Sequence, residues 1–105
     1  MTLFDHRERA FEDRYAHDAE LDFRASARRD KLVGLWAANL LGKRGVDATA
    51  YAQEIVHSHV VNPREDMLVM RLCDDLKGRA GLPEIQAYMT EAAVTARKDV
   101  MTELH

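Results

Sequence analysis

Wherever this chain runs longer than a loop, its apolar residues recur at three- and four-residue steps, and nowhere do they sustain a two-residue alternation. An α-helix brings such steps onto one face, and a strand would scatter them over both. The stock of Ala, Leu, Glu, Arg, Lys and Met favours helix as well. The chain therefore reads as all-α, and 105 residues make one domain.

The punctuation divides it into helices. After Asp30 a broad apolar face appears, carrying Leu32, Leu35, Trp36, Ala37, Leu40 and Leu41. Gly42 stands where a left-handed C-terminal residue is wanted, with Lys43 and Arg44 beside the negative end of the helix dipole. Asp47 then reads as the cap of the next helix, with Val46 and Tyr51 as a hydrophobic staple. Tyr51, Ala52, Ile55 and Val56 form its inner face. Asn62 reads as the following cap, with Pro63 at the first helical position and Glu65 three residues on. Leu68, Val69, Leu72, Cys73 and Leu76 make that helix's stripe. Two glycines and a proline in KGRAGLP break the chain again. Pro83 opens a last helix in which Ile85, Tyr88, Met89, Ala92, Ala96 and Val100 are in register. Short loops predict a roughly antiparallel four-helix bundle over residues 19–105, with Trp36 as its largest piece. Leu32, Leu35, Trp36, Leu40, Tyr51, Ile55, Leu72 and Tyr88 are its expected core.

Residues 1–18 stand apart. Phe4, Phe11 and Tyr15 lie seven and four residues apart, on one helical line in an otherwise charged segment. A line is narrower than the arc of roughly 100° that a core helix shows. The stripe continues through Asp18, Asp22 and Arg29, so it does not run into the Leu32–Trp36 face. This is an additional N-terminal helical segment, either docked on the bundle by its aromatics or mobile until a partner orders it. Burial of the three aromatics in a partner groove is worth about 6 to 9 kcal/mol gross, before ordering and association costs.

Chemistry finds little support. His57 and His59 are two apart and diverge on a helix, whereas a chelating pair wants a step of three or four. Asp13 and His17 have that step but no further ligand, so no metal and no cofactor are expected. Gly34 and LGKRG lack the spacing and the hydroxyl residue of a phosphate loop. Ser26 and Ser58 have no base that the sequence can place beside them. Asp74 and Asp75 read as solvated surface. Cys73, the single cysteine, fits a reducing compartment and reads as a small buried hydrophobe. The chain is not expected to be an enzyme. No run approaches the roughly 18 apolar residues of a membrane span, so cytoplasmic residence is the expectation.

The run FDHRERAFEDRYAHD, followed by ARRDKLVGLWAANLLG, resembles the zeta subunit family of alphaproteobacterial F-type ATP synthase, an ATPase inhibitor formerly known only as a domain of unknown function. The resemblance is densest over residues 3–42 and continues through AYAQEIV. It implies a four-helix bundle preceded by an inhibitory segment that inserts as a helix into a catalytic α/β interface and blocks rotation in the hydrolysis direction. It implies the catalytic head, with its α, β and γ subunits, as partner, and a peripheral place at the inner membrane through that assembly. Phe4, Arg7, Glu8, Phe11, Glu12, Arg14, Tyr15 and Asp18 match the family's N-terminal pattern and are the implied partner-binding residues. Leu32, Gly34, Leu35, Trp36, Ala37 and Ala38 match its bundle signature. Asp30 stands where the family more often has Asn, a change expected to affect only local helix charge. VVNPREDM replaces a more acidic, glycine-containing stretch.

Two other readings compete. A nucleic-acid-associated helical regulator would use Arg24, Arg28, Arg29 and Lys31, against a formal net charge of −3 that speaks for no nucleic-acid partner. A bundle that binds a protein without inhibiting it is the other. No long heptad seam demands a dimer, and the free chain is expected to be a monomer.

Overall fold

The computed structural model describes residues 3–103, with side chains at Arg14 and at 16–103. Four helices follow one another: α1 Leu3–Leu40, α2 Val46–Val61, α3 Glu65–Asp75 and α4 Leu82–Glu103, with no strand among the described residues. The expected N-terminal segment and the first bundle helix are one uninterrupted helix of 38 residues. At 1.5 Å per residue it is about 57 Å long. The molecule measures 63 × 26 × 22 Å, so the length of α1 sets its long axis.

The start and stop of each helix have local causes. Gly42, at φ 78°, ends α1: its N–H donates to the carbonyl of Asn39, and the N–H of Lys43 donates to that of Ala38. That is the paired arrangement of a Schellman turn. Lys43 and Arg44 follow that end directly, and Arg79, from the α3–α4 loop, donates its Nε to the Leu40 carbonyl at 3.2 Å. Asp47 is not a cap. Gly45 holds that position at φ 57°, Asp47 lies within the first turn, and Val46 is 84% exposed, so no staple forms. Asn62 ends α2 instead of capping α3, which starts at Glu65 after Arg64. Pro63 therefore belongs to the link.

The core is centred one residue away from where the large apolar side chains place it. Val33, Ala37 and Ala38 of α1 are fully buried, whereas Leu32, Trp36 and Leu40 pack only partly against them. Leu35 is half-buried. Trp36 is thus not the centre of the core; it stacks on Tyr88 of α4, with ring centroids 4.5 Å apart and planes 7° from parallel. Tyr51, Ala52 and Ile55 of α2, Leu68 and Leu72 of α3, Leu76 just beyond it, and Ile85, Met89, Ala92, Ala96 and Val100 of α4 complete the interior. Val69 and Cys73 pack on its edge.

Small residues occupy the C-terminal part of α1 because α2 lies almost against it there. A Cβ built on Gly34 would sit 2.7 Å from the Ala52 Cα and 3.0 Å from its Cβ. Backbone atoms, unlike a flexible side-chain end, cannot yield locally. Gly34→Ala should therefore destabilise the protein by about 1–3 kcal/mol through overpacking, more than the roughly 1 kcal/mol that helix propensity returns. Urea denaturation against wild type measures the difference; a stabilised variant would contradict the close approach.

Candidate functional site

Bundle packing starts late on α1. Arg14 and every residue from Ala16 to Glu20 are exposed, and Leu21 is the first half-buried side chain after them. Glu20 pairs with Arg24 at 2.8 Å along the helix, as their spacing predicts. Asp22 reaches Arg97 of α4 at 2.7 Å, and Arg28 pairs with Glu103. Of the implied partner-binding residues, Arg14 and Asp18 are exposed on this free length. The side chains of Phe4, Arg7, Glu8, Phe11, Glu12 and Tyr15 lie outside the described residues.

The root of that length is held by a polar cluster that sequence reasoning missed. Asp30, 1% exposed, is inside the bundle. One carboxylate oxygen accepts from Arg29, Nε at 3.0 Å and Nη2 at 2.8 Å; the other lies 2.6 Å from His59 Nδ1. Arg29 also donates to Glu65, and His59 Nε2 lies 3.6 Å from Glu65 Oε2. Helices α1, α2 and the start of α3 are thereby tied at one point. Substitution of Asp for Asn at position 30 is therefore not a local matter of helix charge. A signal was available: Asp30, Val33, Gly34 and Ala37 share one face, and His59 follows Ile55 by four.

Hydrogen bonding from Arg29 holds the Glu65 carboxyl below the usual carboxylate range, although partial burial works the other way. Burial disfavours the charge on Arg29, but its bonds to Glu65 and Asp30 outweigh that and raise its pKa. A second junction joins α2 to α3. Tyr51 donates its hydroxyl to Asp75 at 2.7 Å, and Arg71 lies 5.7 Å from the centre of the Tyr51 ring. Burial, with this hydrogen bond, pushes the Tyr51 pKa up. Asp75 is thus half-buried and structural, while Asp74 is exposed.

The hydroxyl of Ser58 donates to the Ile55 carbonyl, and no serine oxygen is bonded to His59 among the described residues. Among those residues no group of three or more His, Cys, Asp or Glu side chains is placed to hold a metal ion. None of their helices is long and apolar enough to cross a membrane. Of the four cations of the nucleic-acid reading, Arg29 is held by the buried Asp30, and Arg24 and Arg28 make ion pairs at the surface.

What stands out is a helix that outruns its own bundle, and residues 1–99 match the family described as ATPase inhibitor subunit zeta. The chain belongs to that family. The match covers both the free length of α1 and nearly all of the bundle. The zeta assignment agrees with the resemblance carried by the N-terminal run and by LVGLWAANLLG. A comparison with curated proteins finds no match.

Asp30→Ala should cost about 2 to 3 kcal/mol by leaving buried donors without an acceptor, and Asp30→Asn less, since its amide oxygen still accepts. Thermal or urea unfolding of the two variants separates them. Folding lowers the Glu65 pKa, so the Arg29 pair contributes stability above the ordinary carboxylate value of about 4.3 and loses it as pH falls through the lower folded value. Glu65→Gln should therefore shrink the fall in urea midpoint between pH 6 and pH 3. An unchanged acid limb would show that the pair is not linked to folding.

Proposed function

We propose that this chain inhibits ATP hydrolysis by the catalytic head of F-type ATP synthase, with residues 1–18 as the inhibitory segment and residues 19–105 as its mount. The exposed outer length of α1, from Arg14 to Glu20, is the observation that carries this reading. A helix with one aromatic line and mixed charge elsewhere suits a groove that is apolar at its floor and polar at its walls. Phe4, Phe11 and Tyr15 would enter such a groove at a catalytic α/β interface. Arg7, Glu8, Glu12, Arg14 and Asp18 would pair with its sides.

Shape supports a stop as well as an entry. A single helix with side chains is about 10–12 Å across, whereas the molecule is 26 × 22 Å in its two shorter dimensions. The segment enters and the bundle does not follow. A rotor-driven opening of the interface is then opposed by a rod anchored outside it, which blocks rotation in the hydrolysis direction against the γ subunit. Attachment to the head would place the chain at the cytoplasmic side of the inner membrane without crossing it. The reading asks no catalysis of the chain itself.

Titration of the purified cognate head with full-length protein should abolish ATP hydrolysis, and a truncation lacking residues 1–18 should leave it intact. Phe11→Ala in the full chain should raise the half-inhibitory concentration about tenfold or more, as loss of a central aromatic anchor does. Equal inhibition by the truncation would move the function to the bundle. No inhibition by the full chain would remove it.

A further inference from the structure

Among the described residues an open groove of about 710 Å³ runs between α1 and α2, with Val100 and Glu103 of α4 also in its lining. Its apolar surface comes from Phe23, Ala27 and Leu35 on α1 and from Ala52, Val56 and Val60 on α2. Two of these are unusually open for their type, Phe23 at 60% and Val60 at 51%. Phe23 also borders a smaller cavity beside Asp30, His59 and Pro63, so the ring stands on a ridge between two hollows.

The α1 wall is cationic in a regular way. Arg24, Arg28 and Lys31 line the groove at steps of four and three, which puts them on one stripe about 10 Å long. Glu103 is the single carboxylate in the lining, so three permanent cations against one anion give +2 in a chain whose total is −3. Glu103 on Arg28 and Glu20 on Arg24 are exposed pairs, of the kind that contributes little and is readily exchanged. Lys31 makes no ion pair among the described residues.

We propose that this groove takes an acidic amphipathic helix of a protein partner. Its apolar residues would rest on Phe23, Val56 and Val60, and carboxylates at three- and four-residue steps would face Arg24, Arg28 and Lys31. The stripe length and the one-sided charge match helix-in-groove recognition. Phe23 lies only five residues beyond the inhibitory segment, about 8 Å along the same helix. Resting on the reading above, the partner is the assembly that receives residues 1–18, and the helix stands at the mouth of its cleft. Seated there, it converts a single-helix plug into a two-point attachment, the second point setting affinity more than the block itself.

Two arms test this on the full-length chain. In the first, a designed 14-residue helical peptide with Glu at steps of three and four and Leu between is titrated into labelled protein and followed by NMR. Shifts confined to Phe23, Lys31, Val56 and Val60, and lost in Lys31→Glu and in Phe23→Asp, are the expected result. The absence of shifts, equal shifts with the same peptide bearing Lys for Glu, or tighter binding of a single-stranded RNA oligomer would each overturn the proposal. Both substituted positions are exposed, and circular dichroism of each variant verifies its fold. In the second arm, the same variants should raise the half-inhibitory concentration on the cognate head about tenfold while complete inhibition is still reached at excess. Wild-type potency in both variants would overturn the groove and leave the inhibitory segment standing. A wild-type chain that does not inhibit refutes the inhibitor reading alone, and the peptide arm then decides the groove.

Discussion

The backbone of α1 and the backbone of α2 meet at Gly34 and Ala52 more closely than any side chain would allow, and the rest of the bundle is arranged around that contact. Small residues follow it toward the end of α1, where Ala37 and Ala38 are fully buried. Large side chains are displaced to the flanks, where Leu32, Trp36 and Leu40 cover the edges and the Trp36–Tyr88 stack links α1 to α4. Close packing gains dispersion contact over many atoms at once, each small alone and large in sum.

One turn from Gly34 the same pair of helices carries a buried charge. A carboxylate so enclosed is tolerable only if fully hydrogen-bonded, and Asp30 is, by Arg29 on its own helix and His59 on α2. Glu65 extends the network to α3. A buried ion pair is weak evidence of net stability, since desolvation offsets much of the attraction. Its effect here is geometric: only one rotation of α1 against α2 satisfies Asp30 and seats Gly34 on Ala52 together. That rotation decides which residues of α1 face the solvent at its root, Phe23 and the Arg24–Arg28–Lys31 stripe among them.

Beyond that root, Arg14 and the residues from Ala16 to Glu20 are exposed on α1. An isolated helix of fewer than 12–15 residues is marginal in water, but the outer turns of α1 are extended from a length already fixed by packing. Continuity with a folded helix removes the nucleation cost that a separate segment would carry. The family match spans α1 together with nearly all of the bundle.

Helical class, the number of helices after residue 19 and the inner faces of α3 and α4 were legible in the sequence, because each rests on local periodicity and on residues such as Gly42 whose backbone preference is intrinsic. The inward positions of Tyr51, Ile55, Leu72 and Met89 follow from spacing alone. Helix starts were less legible: Asp47 and Asn62 are both good caps by type, yet the chain begins α2 at Val46 and α3 at Glu65. Propensity there is worth about 1 kcal/mol and yields to packing. The rotation of α1 was not legible, because size suggested Trp36 and Leu32 for the centre while proximity demanded Val33 and Ala37. Asp30 looked like surface charge until α2 brought His59 to it, with Glu65 of α3 reaching its neighbour Arg29. Periodicity is a property of one helix, and the sequence alone determines it; the choice of which face is innermost belongs to pairs of helices, and only the tertiary structure decides it.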